Sequence, residues 1–260
     1  MFTVPVFPEI SLRFGHVWRR NFDVWRKYYK ASLVGNLGEP FLYLIALGFG
    51  VGRFIQEIEG VSYLQFIAPG LVAASAMNSA SFECTFGSFT RMTVQKTFHA
   101  VVATPISMEE VVVGDIFWGA SKSLLSGTVI LLAVFAIGLI SSPFFLLIIP
   151  LIFLVGIMFA SLAMIITAIA PSYDFFSYFF TLAVSPMFLF SGIFFPLNDL
   201  PEWAQALAWM LPLTHVVNIF RSLAFGTISL SIFFDLLWIC VFTWVVFCFS
   251  VKKVKDRLIV

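Results

Sequence analysis

The chain has 260 residues, 60% of them hydrophobic, 18% aromatic and only 11% charged, with a formal net charge of +1. A soluble domain carries about 25% charged residues, and a fold of this size has too little interior to hide so much apolar surface. Composition and charge therefore exclude a soluble globular enzyme, a disordered chain and a basic nucleic-acid binder.

A membrane span takes roughly 20 apolar residues, so the length allows about six spans and no separate catalytic domain. Met1 to Ile10 hold no Lys or Arg and do not read as a secretory signal; Phe2 stands where myristoylation needs glycine. Next comes a helical pattern. Phe14, Trp18, Phe22, Trp25 and Tyr29 form one aromatic stripe, and Arg13, His16, Arg20, Asp23, Lys27 and Lys30 lie opposite. A basic, aromatic amphipathic helix suits the membrane interface; a surface helix packed on protein is the alternative. The reading sets residues 1–32 as a cytoplasmic N-terminus.

Six spans are expected within one domain over 33–251: 33–53, 63–85, 109–139, 144–170, 175–195 and 229–251. Ser107 followed by Glu110 has capping-box spacing just before the third. The predicted fold class is an all-α integral membrane protein with an N-terminal interfacial helix. Between the fifth and sixth spans, residues 196–228 are mostly apolar but broken by Pro196, Pro201 and Pro212. They predict a helical hairpin dipping back into the outer leaflet, anchored by Trp203 and Trp209; a plain interfacial helix is the alternative. Residues 86–108 form the other long connection, and 252–260 a basic tail.

Twelve of the fifteen Lys and Arg fall in the N-terminal segment, the 86–108 connection and the tail. The positive-inside rule puts these in the cytoplasm, as an even number of spans requires for both termini.

Catalytic chemistry is missing from the pattern. His16, His99 and His215 lie in separate segments with no metal-ligand spacing, and Cys84, Cys240 and Cys248 read as small apolar side chains. Gly114, Gly119, Lys122 and Ser123 faintly echo a phosphate loop, but apolar residues fill the would-be loop. The chain is expected to bind no nucleotide, cofactor or metal. Its few intramembrane polar groups include Glu39, Glu83, Asp115, Lys122 and Asp235, and Glu83 with Lys122 is the expected structural pair. Ser75, Asn78 and Ser79 sit among small residues, which suit internal packing, a subunit interface or a translocation wall.

The run Ser191-Gly192-Ile193-Phe194-Phe195-Pro196-Leu197, Leu200-Pro201-Glu202-Trp203, Leu211-Pro212-Leu213-Thr214-His215 and Arg221 is the most specific motif. With Asn36-Leu37-Gly38-Glu39-Pro40, Phe66-Ile67-Ala68-Pro69-Gly70 and Ala103-Thr104-Pro105-Ile106-Ser107, it resembles type-2 ABC transporter permeases. The similarity is to the NodJ-like branch associated with export of lipo-oligosaccharide nodulation factors.

The resemblance implies a non-catalytic half-transporter in the bacterial inner membrane. It would pair with a second permease, as a homodimer, and bind two ABC ATPase subunits that carry ATP and magnesium. Residues 88–104, bounded by Gly87 and Pro105, look like the coupling helix, with Arg91, Gln95, Lys96, Phe98 and His99 as docking knobs. Tyr173 and Asp174 would make a second ATPase contact. The pathway for an amphiphilic substrate would run between two permeases, lined by the second and fifth spans, including Ser75, Asn78, Ser79, Phe176, Phe179 and Phe180; lipid-facing phenylalanines are the alternative. Pro186 and the Phe194–Pro196 stretch would kink or gate that wall. Drug efflux by a related ABC permease, and an ATP-independent carrier or channel, are the competing functions.

Overall fold

The computed structural model describes residues 11–55 and 57–258, with backbone alone at Leu33, Asn36 and Leu37. The reading of Met1 to Ile10, and the Asn36-Leu37 half of one motif, lie outside the described residues and side chains.

Helix α1 (Phe14–Trp25) turns through three residues into α2 (Tyr29–Phe49). A hairpin not anticipated from the sequence follows, β1 (Glu57–Ile58) antiparallel to β2 (Val61–Ser62), with Glu57 opposite Ser62. Its two-residue turn places Glu59 at φ 52° and Gly60 at φ 80°, the left-handed pair that matches strand twist. Ser62 then caps α3 (Tyr63–Phe82) in a reciprocal capping box with Gln65.

The second long helix does not stop near residue 85. It runs on through two widened π-helical turns, Glu83–Gly87 and Thr90–Val94, so residues 63–94 are one rod. Gly87, expected to bound the coupling helix, lies inside it. The break comes at Lys96, whose φ is 51°, and a short helix α4 (Thr97–Val102) follows. A non-glycine residue in this region costs energy that the surroundings must hold.

Helix α5 (Met108–Ala136) begins at the Ser107/Glu110 capping box that its sequence announced. A 3₁₀ turn at Pro143–Leu147 leads into α6 (Ile148–Ile169). The fifth rod joins α7 (Phe175–Phe179), a π-helical turn at Phe180–Val184 and α8 (Ser185–Phe190). It ends at Phe190, short of the expected 195, because the chain bends from Ser191 onward and Gly192 takes φ 74°. The wide turn directly precedes Pro186, where a tight turn would clash with the proline ring. Helices α9 (Glu202–Met210) and α10 (Pro212–Phe225) follow, and α11 (Leu230–Leu258) closes the chain. The basic tail from 252 onward is therefore the last turns of α11, as far as it is described.

Among the described residues, three helical stretches are long and apolar enough to cross a membrane: Met108–Ala136, Pro143–Ile169 and Leu230–Leu258. The Phe175–Phe190 rod is apolar but shorter. Helices α3, α5 and α6 pack together at the centre, with α11 on α6, α10 between α3 and α11, and α1 against α5. Every residue of α3 from Phe66 to Met77 is buried, as befits a helix apolar on all sides. Outward on α11, Phe233, Leu237, Val241, Trp244, Val245 and Phe249 are exposed. That apolar strip is the surface a bilayer would cover.

The aromatic stripe of α1 faces protein. Phe14 meets Phe117 at 5.0 Å between centroids, and Trp18, Phe22 and Trp25 surround Trp118 within 6.3 Å. The packed-on-protein alternative describes this face, while Arg13, His16, Arg19, Asp23 and Arg26 stay exposed.

Close approach of α1 depends on Gly114, where a Cβ would lie 2.8 Å from the Phe14 carbonyl oxygen and 2.6 Å from Val17 Cβ. Gly114→Ala should loosen α1 at a cost of about 1–3 kcal/mol. Trypsin cleavage after Arg26 or Lys27 should then accelerate in detergent. Gly35→Ala, with open space at its Cβ, should leave the cleavage rate near wild type.

Candidate functional site

At the end of the bundle next to α4, four charged side chains meet in the interior. Glu83 and Arg91 belong to the long rod, Asp115 and Lys122 to α5. Arg91 Nη1 donates to Glu83 Oε1 at 2.7 Å, and Arg91 Nε to Asp115 Oδ2 at 3.0 Å. Lys122 Nζ donates to Glu83 Oε2 at 2.8 Å, so the pair expected from the sequence is present. Two cations thus balance two carboxylates, and both carboxylates are buried.

Neutral donors complete the set. Trp118 Nε1 donates to Glu83 Oε1 at 3.0 Å, Ser88 Oγ to Asp115 Oδ2 at 2.8 Å, and Asn21 Nδ2 of α1 to Asp115 Oδ1 at 2.6 Å. Buried charges cost several kcal/mol each unless paired and hydrogen-bonded; here each carboxylate oxygen has at least one donor. A further chain of bonds runs from the Cys84 carbonyl through Thr167 of α6 to Arg257 of α11, each at 2.6 Å.

Local geometry makes this possible. Glu83 and Arg91 are eight residues apart, about 12 Å along a regular helix, and the long Arg91 side chain reaches back along the rod. A Cβ on Gly87 would stand 2.8 Å from Glu83 Oε1 and 3.4 Å from Arg91 Nη1. The glycine is where the side-chain pair passes.

At the first turn of α5, Lys255 of α11 clasps Glu109.

The docking knobs divide. Gln95, Lys96 and His99 are exposed around the left-handed break. Phe98 is 1% exposed and Arg91 is held by its carboxylates, so neither is a surface knob; both belong to the interior. Tyr173 and Asp174 are exposed beside them. Tyr173 Oη lies 2.7 Å from Thr90 Oγ1, and its ring contacts Phe86 and Phe89.

The expected pathway residues are largely internal. Phe176 is fully buried against Phe86 and Phe89, and Phe179 is buried too. Ser75 Oγ bonds Ser126 Oγ at 2.8 Å, tying α3 to α5, and Ser79 is buried. These four are buried within their own chain. Asn78 and Phe180 are half-buried, Asn78 beside exposed Glu39 in a small crevice.

At the opposite end, His215 Nδ1 lies 2.6 Å from Asp235 Oδ1, joining α10 to α11, and its other ring nitrogen faces the Trp209 carbonyl at 3.1 Å. Arg221 Nη2 donates to the Gly192 carbonyl at 2.7 Å, and the guanidinium lies 3.8 Å from the centroid of the Phe66 ring. Pro201 precedes α9, buried Pro212 starts α10, and Trp203 is exposed. A cavity of about 670 Å³ opens among these elements, with Pro196 on its wall.

Sequence reading missed Asn21 and misplaced Arg91. Asn21 is the lone uncharged polar residue between Val17 and Trp25 on the packed face, and Asp115, Trp118 and Lys122 repeat at spacings of three and four. Those were the available signals.

Chain-wide similarity agrees with this architecture. Residues 13–225 match the family described as ABC-2 type transporter, and the chain belongs to that family. It is a membrane permease subunit of an ABC exporter. It is 40% identical over 243 residues to Nodulation protein J of Sinorhizobium fredii (strain NBRC 101917 / NGR234), covering 94% of this chain and 93% of that one. It is 38% identical over 242 residues to Nodulation protein J of Rhizobium meliloti (strain 1021), covering 93% and 92%. With Inner membrane transport permease YadH of Escherichia coli (strain K12), it shares 24% identity over 240 residues, covering 90% and 92%.

Arg91→Met would strand Glu83 and Asp115 partly unpaired. The variant should lose about 3–5 kcal/mol and show a clearly lower detergent melting temperature. The losses from Arg91→Met and Asp115→Asn should be strongly non-additive when combined.

Proposed function

We propose that this chain is the permease half of an ATP-driven exporter of an amphiphile, a lipo-oligosaccharide or lipid-linked glycan, across the bacterial inner membrane. Two copies pair, and two separate ATPase subunits supply the energy. Spans α2, α3, α5, α6, the Phe175–Phe190 rod and α11 cross the bilayer, with both termini in the cytoplasm. Helices α9 and α10 are 9 and 14 residues long, about 14 and 21 Å. Each is too short for a core about 30 Å thick, which favours a re-entrant hairpin from the outer face.

One observation carries the reading. The exposed Gln95, Lys96 and His99 knuckle sits at the break that directly follows the end of a rod, and that rod enters the buried charge network and then the bundle centre. An ATPase pushing on the knuckle would move a rigid lever. The lever is fastened at Arg91 and Glu83 to α5, and through Asp115 to α1. Tyr173, bonded to Thr90, would present a second contact on the same body. The names of the relatives support the class: one is called a transport permease of the inner membrane, and the others nodulation proteins.

Lys96→Glu with His99→Ala should insert normally in the membrane yet cut ATPase co-purification and permease-stimulated ATP hydrolysis about tenfold, the size expected for an interface anchor. Normal recovery and stimulation would refute the knuckle as the docking point. Transport in vesicles lacking any ATPase would refute the ATP-driven reading itself.

A further inference from the structure

The outer cavity has a chemistry that the coupling end lacks. At the charge network every carboxylate oxygen is matched to a donor, whereas here polar groups of both kinds stand unmatched. Arg221 Nε is buried with no hydrogen-bond partner among the described residues. Asn218 and Ser222 line the same space with no side-chain bond to any described residue. Asp235 spends one oxygen on His215 and has no partner for the other among the described residues, and the exposed Glu59 carboxylate closes one edge.

This inventory selects a ligand class. A free anion would meet two carboxylates, and a cation would meet Arg221. A neutral group rich in hydroxyls can donate to Asp235 and Glu59 while accepting from Arg221 and Asn218. Two aromatic rings supply the other half of such recognition. Trp209 and Phe234 line the cavity and are 49% and 61% exposed, so their faces can receive the C–H face of a pyranose ring. Trp238 cannot, since His215 and Phe242 stack on it at 4.3 and 4.8 Å; it serves to hold His215 in place. The volume of about 670 Å³ falls among small-molecule sites of about 300–1,000 Å³.

We infer that this cavity, formed by the β-hairpin, α10 and the start of α11, is a carbohydrate-binding site for a neutral saccharide. Within one permease copy it would hold the sugar head of the exported amphiphile at the outer face, apart from any path between two copies. The source of that sugar rests on the export reading; the binding chemistry does not.

The experiment uses the purified full chain in detergent, without ATPase, so it measures no transport and stands apart from tests of export. Calorimetric titration employs maltotetraose, a soluble neutral tetrasaccharide, in one arm. In the other arm the same tetrasaccharide carries an acyl chain and is presented in phosphatidylcholine vesicles. Saturable binding is expected in at least one arm, weakened about tenfold or more by Asn218→Leu and by Trp209→Ala, the scale of losing one buried hydrogen bond or ring contact. Lys252→Ala, on the exposed last turns of α11, should leave it unchanged, and melting temperatures near wild type would show that the variants fold. Binding in the acylated arm alone, still weakened by Asn218→Leu, would support the site and identify the source as lipid-linked. No saturable binding in either arm would overturn the proposal. So would binding indifferent to both cavity variants, or displacement of the saccharide by an equal concentration of inorganic phosphate.

Discussion

Arg91 is the constraint on which the rest of the inner architecture depends. A guanidinium removed from water must recover several kcal/mol of hydration, and it does so only if its donors find well-placed acceptors. Glu83 and Asp115 provide them from two different helices. Each carboxylate then needs neutralising in turn, which recruits Lys122, Trp118, Ser88 and Asn21. One buried charge therefore sets the register of the long rod against α5 and the docking of α1. It also requires glycine at position 87, where any side chain would block the pair.

Such a device answers a problem particular to membranes. Between helices in lipid there is no hydrophobic drive, because the solvent is as apolar as the side chains. Close packing at small residues and interhelical hydrogen bonds must do the positioning. Both are visible here, in the approach of Gly156 to Ala120, where a Cβ would lie 2.8 Å from the Ala120 Cα, and in the charge network. The two ends of the bundle are built to different rules. Next to α4 polar groups are matched and the aromatic joints are tight; around α10 the groups are left open to a cavity. A stiff end suits a lever and an open end suits a ligand.

What the sequence could show was what is encoded locally. The Ser107/Glu110 cap, the apolar lengths of α5, α6 and α11 and the amphipathic face of α1 each depend on residues within one or two turns. What it concealed depended on partners far along the chain. Arg91 looked like a surface knob because local periodicity treats every basic residue as solvent-facing, and its carboxylate on α5 is 24 positions away. Phe98 shared that fate, being buried although Lys96 and His99 to either side of it are exposed. Gly87 read as a helix boundary, since glycine usually weakens helices, whereas here its missing side chain is what the helix requires. The motif of Pro212, His215 and Arg221 was legible as a pattern, but its cavity appears only when α11 supplies Asp235.

The aromatic excess acquires a physical purpose from this division. At one joint Phe176 meets Phe86 and Phe89, and Tyr173 meets Phe89, edge to face, while Phe86 stacks on Tyr173; at another, Trp18, Phe22 and Trp25 meet Trp118 edge to face. Rings are stiff, with two side-chain torsions each, and edge-to-face pairs add about 0.5–1.5 kcal/mol beyond their buried area. The first joint fastens the start of the Phe175–Phe190 rod to the long rod, and the Thr90–Tyr173 bond closes it. Displacement of the knuckle at Lys96 is then shared by two rods and by α1, instead of being absorbed in a flexible loop. Work done outside the bundle can reach its interior because those joints are too closely packed to yield separately.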